Sequence, residues 1–581
     1  MTARWRSPLV LGHTISRIFT QKMSQQLGHT RTRAQESSNA IERVYITMRH
    51  LFNRGFYKPM GISGTALREA LLTLRPEIYG SIAEEKIELQ GMVYIMDRLP
   101  YGIEQCQFIA LTSDEGYNKS HIPAIIPPKR RRHCYRIDDQ QMNIVITRGR
   151  SEIYDILTHL TFMYIESHKI MKQVLVPKEE GWILSRDWQK FAETATQKTE
   201  ITTAQRELAL MHAASFLGRT FEEVQASYPL FAQKQDPDHF IRLIYHLGQG
   251  AIDEIMDKTR ARQISFSPVL RERLGHHIHG ERWAKNIKET LVKMGAIERP
   301  MHIISANMHS VMNTLYAAKA LPKEATKKSS LALFEYLSQE TNKSARLKVQ
   351  EYAQKNGMIY LDDQSQANID VQVIDLGKAL PERYPNNSGE TPVLIVMDYA
   401  FGEQAYETMD ELLKPLNASG KTKFMPVVSI SIMGKAGILE GGKGDIMIPR
   451  AHIFEGTADN YPFKNKLKLK DFEGHDAYAG TMITVLGTSL QNKDILNFFH
   501  NSSWDVIGLE MEGAHYQKAI QAASKIRGSI SPSVAVRYAY YASDNPLESG
   551  STLASGGLGT TGVRPTYVIT EKIIEQITQQ D

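Results

Sequence analysis

Cysteine is almost missing from this chain. The 581 residues include only Cys106 and Cys134, too few for a disulfide framework, which excludes small secreted scaffolds and points to a reducing, cytoplasmic setting. A single disulfide between the two is the lesser alternative. No long uncharged apolar run occurs, so a membrane-spanning helix is not expected. No fixed-period repeat occurs either, which excludes a solenoid. Charge of one sign is scarce too: 69 basic against 64 acidic residues leave +5, and composition calls for no nucleic-acid partner. Acidic residues are missing only at the start, where Arg4, Arg6, Arg17, Lys22, Arg31 and Arg33 all precede the first acid, Glu36. Residues 1–38 therefore read as a basic, flexible leader or a start placed upstream of Met23, with an organelle-targeting segment as the alternative.

What remains is ordinary for a soluble globular protein, with 42% hydrophobic and 23% charged residues. Its length suggests about three domains. From 39 to 298 the pattern is mainly helical. Apolar residues recur at three- and four-residue intervals in Ile41–Phe52, Arg150–Met171, Ala204–Leu217, His239–Met256 and Glu281–Met294. Within this half Lys129-Arg130-Arg131-Arg132-His133 is a charge run that could meet a phosphate or nucleic acid, though such a run is usually solvated. His276, His277 and His279 lack carboxylate or thiol partners at ligand spacing, so no metal is expected.

Near residue 300 the texture changes. Short β-rich runs at His302–Ser305, Met358–Leu361, Val371–Ile374, Val393–Met397, Val427–Ile432, Ile446–Ile448 and Val534–Val536 alternate with helical stretches. This predicts a mostly parallel sheet covered by helices over 299–581, closing with a helix at Thr566–Gln579. The predicted class is α/β, a three-layer αβα domain with a central mixed, mostly parallel sheet, preceded by a mainly α-helical one.

Chemistry concentrates at the ends of these runs. Gly508-Leu509-Glu510-Met511-Glu512-Gly513-Ala514 and Ala542-Ser543-Asp544-Asn545-Pro546 each put an acid just past a strand. One carboxylate accepts hydrogen bonds from a sugar diol and a second acid protonates a departing base, a pairing suited to N-glycosidic cleavage. Met433-Gly434-Lys435-Ala436-Gly437 follows a strand directly, where glycine lets the backbone approach a ligand. Taken singly, Glu512 reads equally well as a helix N-terminal carboxylate, and Asp544 as a turn residue before Asn545-Pro546.

The order of these pieces, with Gly442-Lys443-Gly444-Asp445 and Phe454-Glu455-Gly456-Thr457 followed by Asn460-Tyr461-Pro462 between them, resembles the purine nucleoside phosphorylase and nucleosidase superfamily. The Glu-Gly-Thr phrase is most similar to bacterial AMP nucleosidases. The resemblance covers 299–581. It implies Glu512 at the ribose hydroxyls, with Met511 under the sugar and Glu510 beside it, and Asp544 with Ser543 at the purine. Thr457 would contribute a hydroxyl to the sugar or phosphate. At the strand ending Met397-Asp398-Tyr399, Glu403 is open to two readings, activation of a water or a helix N-terminal charge. His309 stands where thio-nucleoside nucleosidases of the superfamily carry a water-activating glutamate. Ile432 replaces the arginine that hexameric phosphorylases use for phosphate, and Lys435 the usual serine, which favours water as nucleophile. Lys435, Arg450 and Arg537 are the candidates for a substrate phosphate, and Gly434, Ala436 and Gly437 line the same turn. Ser549–Gly562 reads as a glycine-rich flap. The expected activity is hydrolysis of a purine nucleotide, AMP foremost, to free base and ribose 5-phosphate. The alternatives are phosphorolysis with inorganic phosphate and a nucleotide sensor that does not cleave. No cofactor is implied, and a homo-oligomer is.

Overall fold

The computed structural model describes residues 33–75, 86–113, 115–179, 181–385, 390–418, 421–455, 459–487, 492–548 and 559–579. Most of the basic leader, Thr457 and most of the proposed flap lie outside them.

The first half is not purely helical. Five short strands, β1 (Phe56–Tyr57), β2 (Phe108–Thr112), β3 (Cys134–Arg136), β4 (Gln141–Val145) and β5 (Gln263–Phe266), form one sheet in the order β1-β5-β2-β4-β3. With β2 parallel to both β4 and β5, this half is itself α/β. Its strands are too short to show an alternating pattern beside long helices. Around them pack α1 (Arg33–Arg54), α2 (Leu89–Met96), α3 (Gly149–Val174) and α4 (His239–Met256). Helix α3 is buried along nearly its whole length, from Ile153, Ile156, Leu157 and Leu160 to Ile170 and Val174. Fully burying each such side chain contributes about 1.5–3 kcal/mol. Cys106 and Cys134 are both buried and unbridged, and burial pushes each thiol up to about 12.

The second half holds a ten-stranded mixed sheet. Its members are β6 (Met301–Ser305), β7 (Met358–Leu361), β8 (Val371–Asp375), β9 (Val393–Met397), β10 (Val427–Ile438), β11 (Ile446–Phe454), β12 (Asn460–Pro462), β13 (Ala477–Thr484), β14 (Val506–Glu510) and β15 (Ala535–Asp544). The expectation of a central mixed, mostly parallel sheet holds as to mixed and needs correcting as to mostly parallel. The pairs β7–β8, β8–β9, β10–β14, β11–β12 and β11–β15 are antiparallel, while β6–β9, β6–β10, β10–β15, β11–β13 and β13–β14 are parallel.

Helices cover both faces. On one, Trp283, Ile287 and Leu291 of α5 (Ile278–Lys293), Ala405 and Met409 of α7 (Gln404–Leu412), and Tyr516 and Ile520 of α8 (Gly513–Gln521) share a core with the sheet. On the other, Val311 and Leu315 of α6 (Met308–Ala320) and Ile569, Ile573 and Ile577 of α9 (Val563–Gln579) do so. Helix α5, ahead of residue 299, thus packs on the second half's sheet. Leu486 and Ile495 in turn join the first half's core.

Five of the strands close on themselves in the order β10-β15-β11-β13-β14 and back to β10. Closure requires β10 and β14 to touch at Gly437↔Leu509 and Ile438↔Gly508. A Cβ on Gly508 would stand 2.5 Å from the Gly437 carbonyl oxygen, closer than van der Waals contact allows. Gly508→Ala is therefore expected to destabilise the protein by about 1–3 kcal/mol in urea unfolding, whereas Gly442→Ala, where an added Cβ meets nothing within 4 Å, should change stability little.

Candidate active site

Gly437 pairs with Leu509 on one side and Asp544 on the other. The ends of β14 and β15 therefore flank a single residue of β10, which brings Asp544 at the end of one strand and the glutamates at and beyond the end of the other to the same edge of the sheet.

The chain past β14 divides two duties between its two glutamates. The first N–H groups of a helix need acceptors, and at α8 Glu510 supplies them. Its Oε2 accepts from the Glu512 N–H at 2.6 Å and from the Gly513 N–H, while Oε1 accepts from the Thr484 hydroxyl. Burial pushes the Glu510 carboxyl up to about 7 despite these donors. Glu512 occupies the cap position, yet its side chain caps nothing. Its Oε1 instead accepts from the Gly402 N–H at 2.9 Å. Burial first and the neighbouring Glu510 second push Glu512 up to about 8, against the pull of backbone N–H groups and Arg130.

The same division holds past β15. Asn545, not Asp544, closes the turn, its Oδ1 accepting from the Leu547 N–H at 3.0 Å. Asp544 is left beside Ser543, whose Oγ lies 2.5 Å from Asp544 Oδ1 and 3.0 Å from the Ala436 carbonyl oxygen. Lys435 stands exposed at this end of β10. Its ammonium is lowered from the ordinary lysine range by burial and by Arg98 and Arg130, with Asp544 and Glu512 opposing. Lys435, Glu512 and Asp544 thus share one electrostatic neighbourhood. Gly434 faces Tyr399, whose ring carbon would lie 3.7 Å from an added Cβ. Tyr399 is 39% exposed, a surface suited to stacking a flat ring. Met511 is half-buried against the small core that includes Leu509.

Of the other sequence candidates, Glu403, Arg537 and Arg450 fall elsewhere. The Glu403 carboxylate is taken by the first half, where Arg150 Nη1 donates to it at 2.8 Å and the Arg150 N–H at 2.9 Å. Between its two readings, the helix-terminal charge matches the geometry, but at the start of α3 rather than of its own helix. The Glu403 N–H in turn donates to Ser151 Oγ at 2.9 Å. Next to it, Gly402 has φ +55°, and an added Cβ would lie 2.5 Å from Ser151 Cβ, so this junction admits no side chain. Arg537 is fully buried and donates from Nε to Gln576 of α9 at 2.9 Å, which places it under a helix and away from the cleft. Arg450 is exposed at the bulge of β11 beside β12. His309 lies at the start of α6 with Asn307 capping its N–H at 3.0 Å. Burial lowers its imidazole from the ordinary range, with Asp398 opposing.

The basic run at 129–133 is not a solvated stretch. Arg130 and Arg132 both pair with Asp155 of α3, at 3.1 and 2.7 Å, and Arg131 reaches Asp398 beyond β9 at 3.0 Å. The Arg130 and Arg148 guanidinium carbons sit 5.0 and 5.7 Å from the centre of the Phe401 ring. Burial alone would raise Asp155, but Arg130, His159 and Arg132 hold it well below the usual carboxylate range. Arg98 was missed in the sequence, and Arg130 stood out only as part of a charge run, because nothing local ties the arginines of the first half to a strand end in the second. One further cluster, His277, Asp410 and Glu411, brings its ligand atoms within 4.8 Å of one another. Its carboxylates are already engaged, Glu411 by Lys414 at 2.6 Å and Asp410 by Arg527 at 2.6 Å.

These features define a three-layer α/β protein with acids gathered at the closed end of its sheet. The chain belongs to a family of unknown function, DUF6909, which matches residues 65–325 and 316–579 and so takes in both halves. None of the curated proteins matches it. Among solved structures it is similar to 5'-methylthioadenosine/S-adenosyl homocysteine nucleosidase of Campylobacter jejuni, at 11% identity over 48% of this chain and 99% of that one, TM-score 0.30. It is also similar to the MTA/SAH nucleosidase of Streptococcus pneumoniae, at 11% over 47% and 98%, TM-score 0.26. A third is uridine phosphorylase of Schistosoma mansoni, at 11% over 50% and 91%, TM-score 0.30. At these scores the likeness adds nothing to what the chain's own residues say. Among the described residues no helix is long and apolar enough to cross a membrane.

Buried carboxyls make stability depend on pH. Burial pushes Glu512 and Glu455 up to about 8 and Glu104, Glu407 and Glu510 up to about 7. Each holds its proton more tightly folded than unfolded, so its contribution is lost as pH rises toward the folded value. Buried His159, His452, His168, His246 and His515 are lowered to between about 3 and 4, so their contribution grows with pH and is complete above the unfolded value near 6.5. From about pH 6.5 to about pH 8 the carboxyls act in one direction together with His277, which its hydrogen bond with Glu411 raises above the ordinary imidazole value. Calorimetry is expected to show Tm falling across that window, and Glu455→Gln to reduce the fall.

Proposed function

We propose that the cleft cleaves the N-glycosidic bond of a purine nucleotide, AMP and water giving adenine and ribose 5-phosphate. One observation supports this reading: pairing of Gly437 with Leu509 and with Asp544 brings the ends of β14 and β15 together, while Glu510 and Asn545 take over the structural duties that would otherwise have explained the acids there. In the reaction the C1'–N9 bond breaks, its electrons pass into the base, and Asp544 delivers a proton to N7. Positive charge grows on the ribose ring, where an ionised Glu512 accepts from the 2'- and 3'-hydroxyls and favours the transition state over the ground state. A water adds to C1' and gives its proton to His309, which burial keeps neutral and able to accept. Tyr399 stacks on the base, and Glu403, bound to Arg150, is left out of the chemistry. The homo-oligomer implied by the superfamily resemblance belongs to the same proposal.

Asp544→Asn is expected to lower adenine release by roughly 10²–10⁴-fold, followed by chromatography, while the circular dichroism spectrum is unchanged. Saturable AMP binding with no adenine release by the unaltered protein would select the sensor instead. The pH profile offers an independent check. Glu512 must lose its proton to accept from the diol, so kcat/KM should rise with an inflection near 8. Glu510→Gln removes the neighbouring carboxyl that raises Glu512 and should move that inflection to lower pH.

A further inference from the structure

The first half reaches the cleft with more positive charge than it neutralises. Arg98 and Arg130 come from neighbouring loops joined by the Lys129 N–H, which donates to the Asp97 carbonyl at 2.8 Å. Arg130 lies over Phe401, the residue before Gly402, whose N–H holds Glu512. Both carboxylates nearest these arginines on α3 are already shared: Asp155 serves Arg130 and Arg132, and Glu152 lies 3.3 Å from Arg132 Nε while accepting from the Thr147 and Arg148 N–H groups. Arg98 forms no ion pair among the described residues. It lies over the Tyr94 ring at 3.5 Å, donates from Nη1 to the Tyr94 carbonyl at 2.7 Å, and keeps a buried Nε without a partner. Lys435 follows Gly434, which lies against Tyr399 two residues before Phe401, and it likewise has no ion pair among the described residues.

We propose that Arg98 and Arg130 of the first half, with Lys435 of the second, form a subsite for a phosphate group at the edge of the cleft, so that the substrate site is complete only where the two halves meet. The proposal rests on the cleft being the site described above, but not on the bond it cleaves. A guanidinium fork and a lysine point charge together suit a tetrahedral dianion. Phosphate chemistry has two sources here, the 5'-phosphate of a nucleotide and free inorganic phosphate, and the position of Lys435 beside both acids admits either. If the group is inorganic phosphate, its oxygen attacks C1' in place of water, the C1'–N9 bond breaks, and the base leaves with the proton from Asp544, giving a ribose 1-phosphate. The first half then supplies the cations whose absence at Ile432 made phosphorolysis look disfavoured.

The test uses the full chain. Calorimetric titration with inorganic phosphate and with ribose 5-phosphate is run on the unaltered protein and on Arg98→Gln, Arg98→Lys, Lys435→Gln and Asp544→Asn. Arg98→Gln and Lys435→Gln, from opposite halves, are expected each to weaken binding of at least one probe by roughly ten- to a hundredfold, with Arg98→Lys intermediate and Asp544→Asn close to unaltered. Lys435 is exposed, so its variant keeps the test sound if Arg98→Gln fails to fold. Ribose 5-phosphate binding with AMP cleaved in phosphate-free buffer assigns the 5'-phosphate. Inorganic phosphate binding with adenosine cleaved only when phosphate is present assigns the nucleophile. Binding of both probes that is unchanged in Lys435→Gln and in either folded Arg98 variant, or no binding by the unaltered protein, overturns the subsite. Phosphate binding lost in the variants while no purine nucleoside or nucleotide is cleaved leaves the subsite standing and refutes the glycosidic reading.

Discussion

The contact that organises this molecule is the passage of β10 between β14 and β15 at Gly437. Adjacent strands lie about 4.8 Å apart, so pairing with Leu509 on one side and Asp544 on the other sets those two backbones roughly 10 Å apart. Side chains at the contact would force the strands apart. Gly437 and Gly508 therefore lie diagonally across the closure, paired with Leu509 and Ile438, and the register between β10 and β15 shifts between Ala436 and Gly437. The acids do not find each other through any mutual attraction. They are delivered by strand pairing, and Glu510 and Asn545 hold the chain past each strand in place.

A second constraint fixes the first half against that opening. The start of α3 meets Glu403, Arg131 meets Asp398, and Gly402 fits against Ser151. Each joins a residue just past the end of β9 to the first half, so the wall of the cleft is made jointly. Exposed ion pairs are weak tethers, contributing about 0.2–1 kcal/mol. The pairs of Asp155 with Arg130 and Arg132 are different because they are buried. Removing one partner there strands a charge, which costs about 3–5 kcal/mol. Such a network contributes little net stability but penalises every misplacement of its members, and that makes it a device for position.

How far the sequence revealed this depends on the distance over which each feature is encoded. Runs such as Met358–Leu361 and Val393–Met397 emerge as strands with the boundaries their composition suggests, and His239–Met256 as a helix. Burial on both faces writes strands as continuous apolar runs, and a one-sided surface writes a helix as a stripe. β13 and β14 escaped notice because glycines interrupt them, Gly480 and Gly508, each placed where another backbone approaches. Glu512 and Asp544 stood out through the order of the short motifs around them rather than through the strands that carry them. The relation of Arg98 and Arg130 to the cleft was not legible, since it depends on how the halves dock. Composition misled at 129–133, where a run of cations looks solvated unless its buried partners, Glu152 and Asp155, are known to be carried on the helix opposite.

Electrostatics gives the cleft two ends of unlike character. At one, Glu510 and Glu512 crowd each other in a buried setting and hold protons that carboxyls in water would release. At the other, Lys435 is pressed to give up a proton that lysines in water would keep. Neither end is at rest, because each group's charged form lacks the partner that would pay for its desolvation. Dividing the two excesses is more stable than merging them. Were Glu512 and Lys435 in direct contact, the pair would neutralise itself and leave nothing to recognise. A ligand with an anionic group at one end and hydroxyls beside a centre that becomes cationic in reaction at the other satisfies both ends at once. A phosphorylated sugar joined to a base has that distribution of charge.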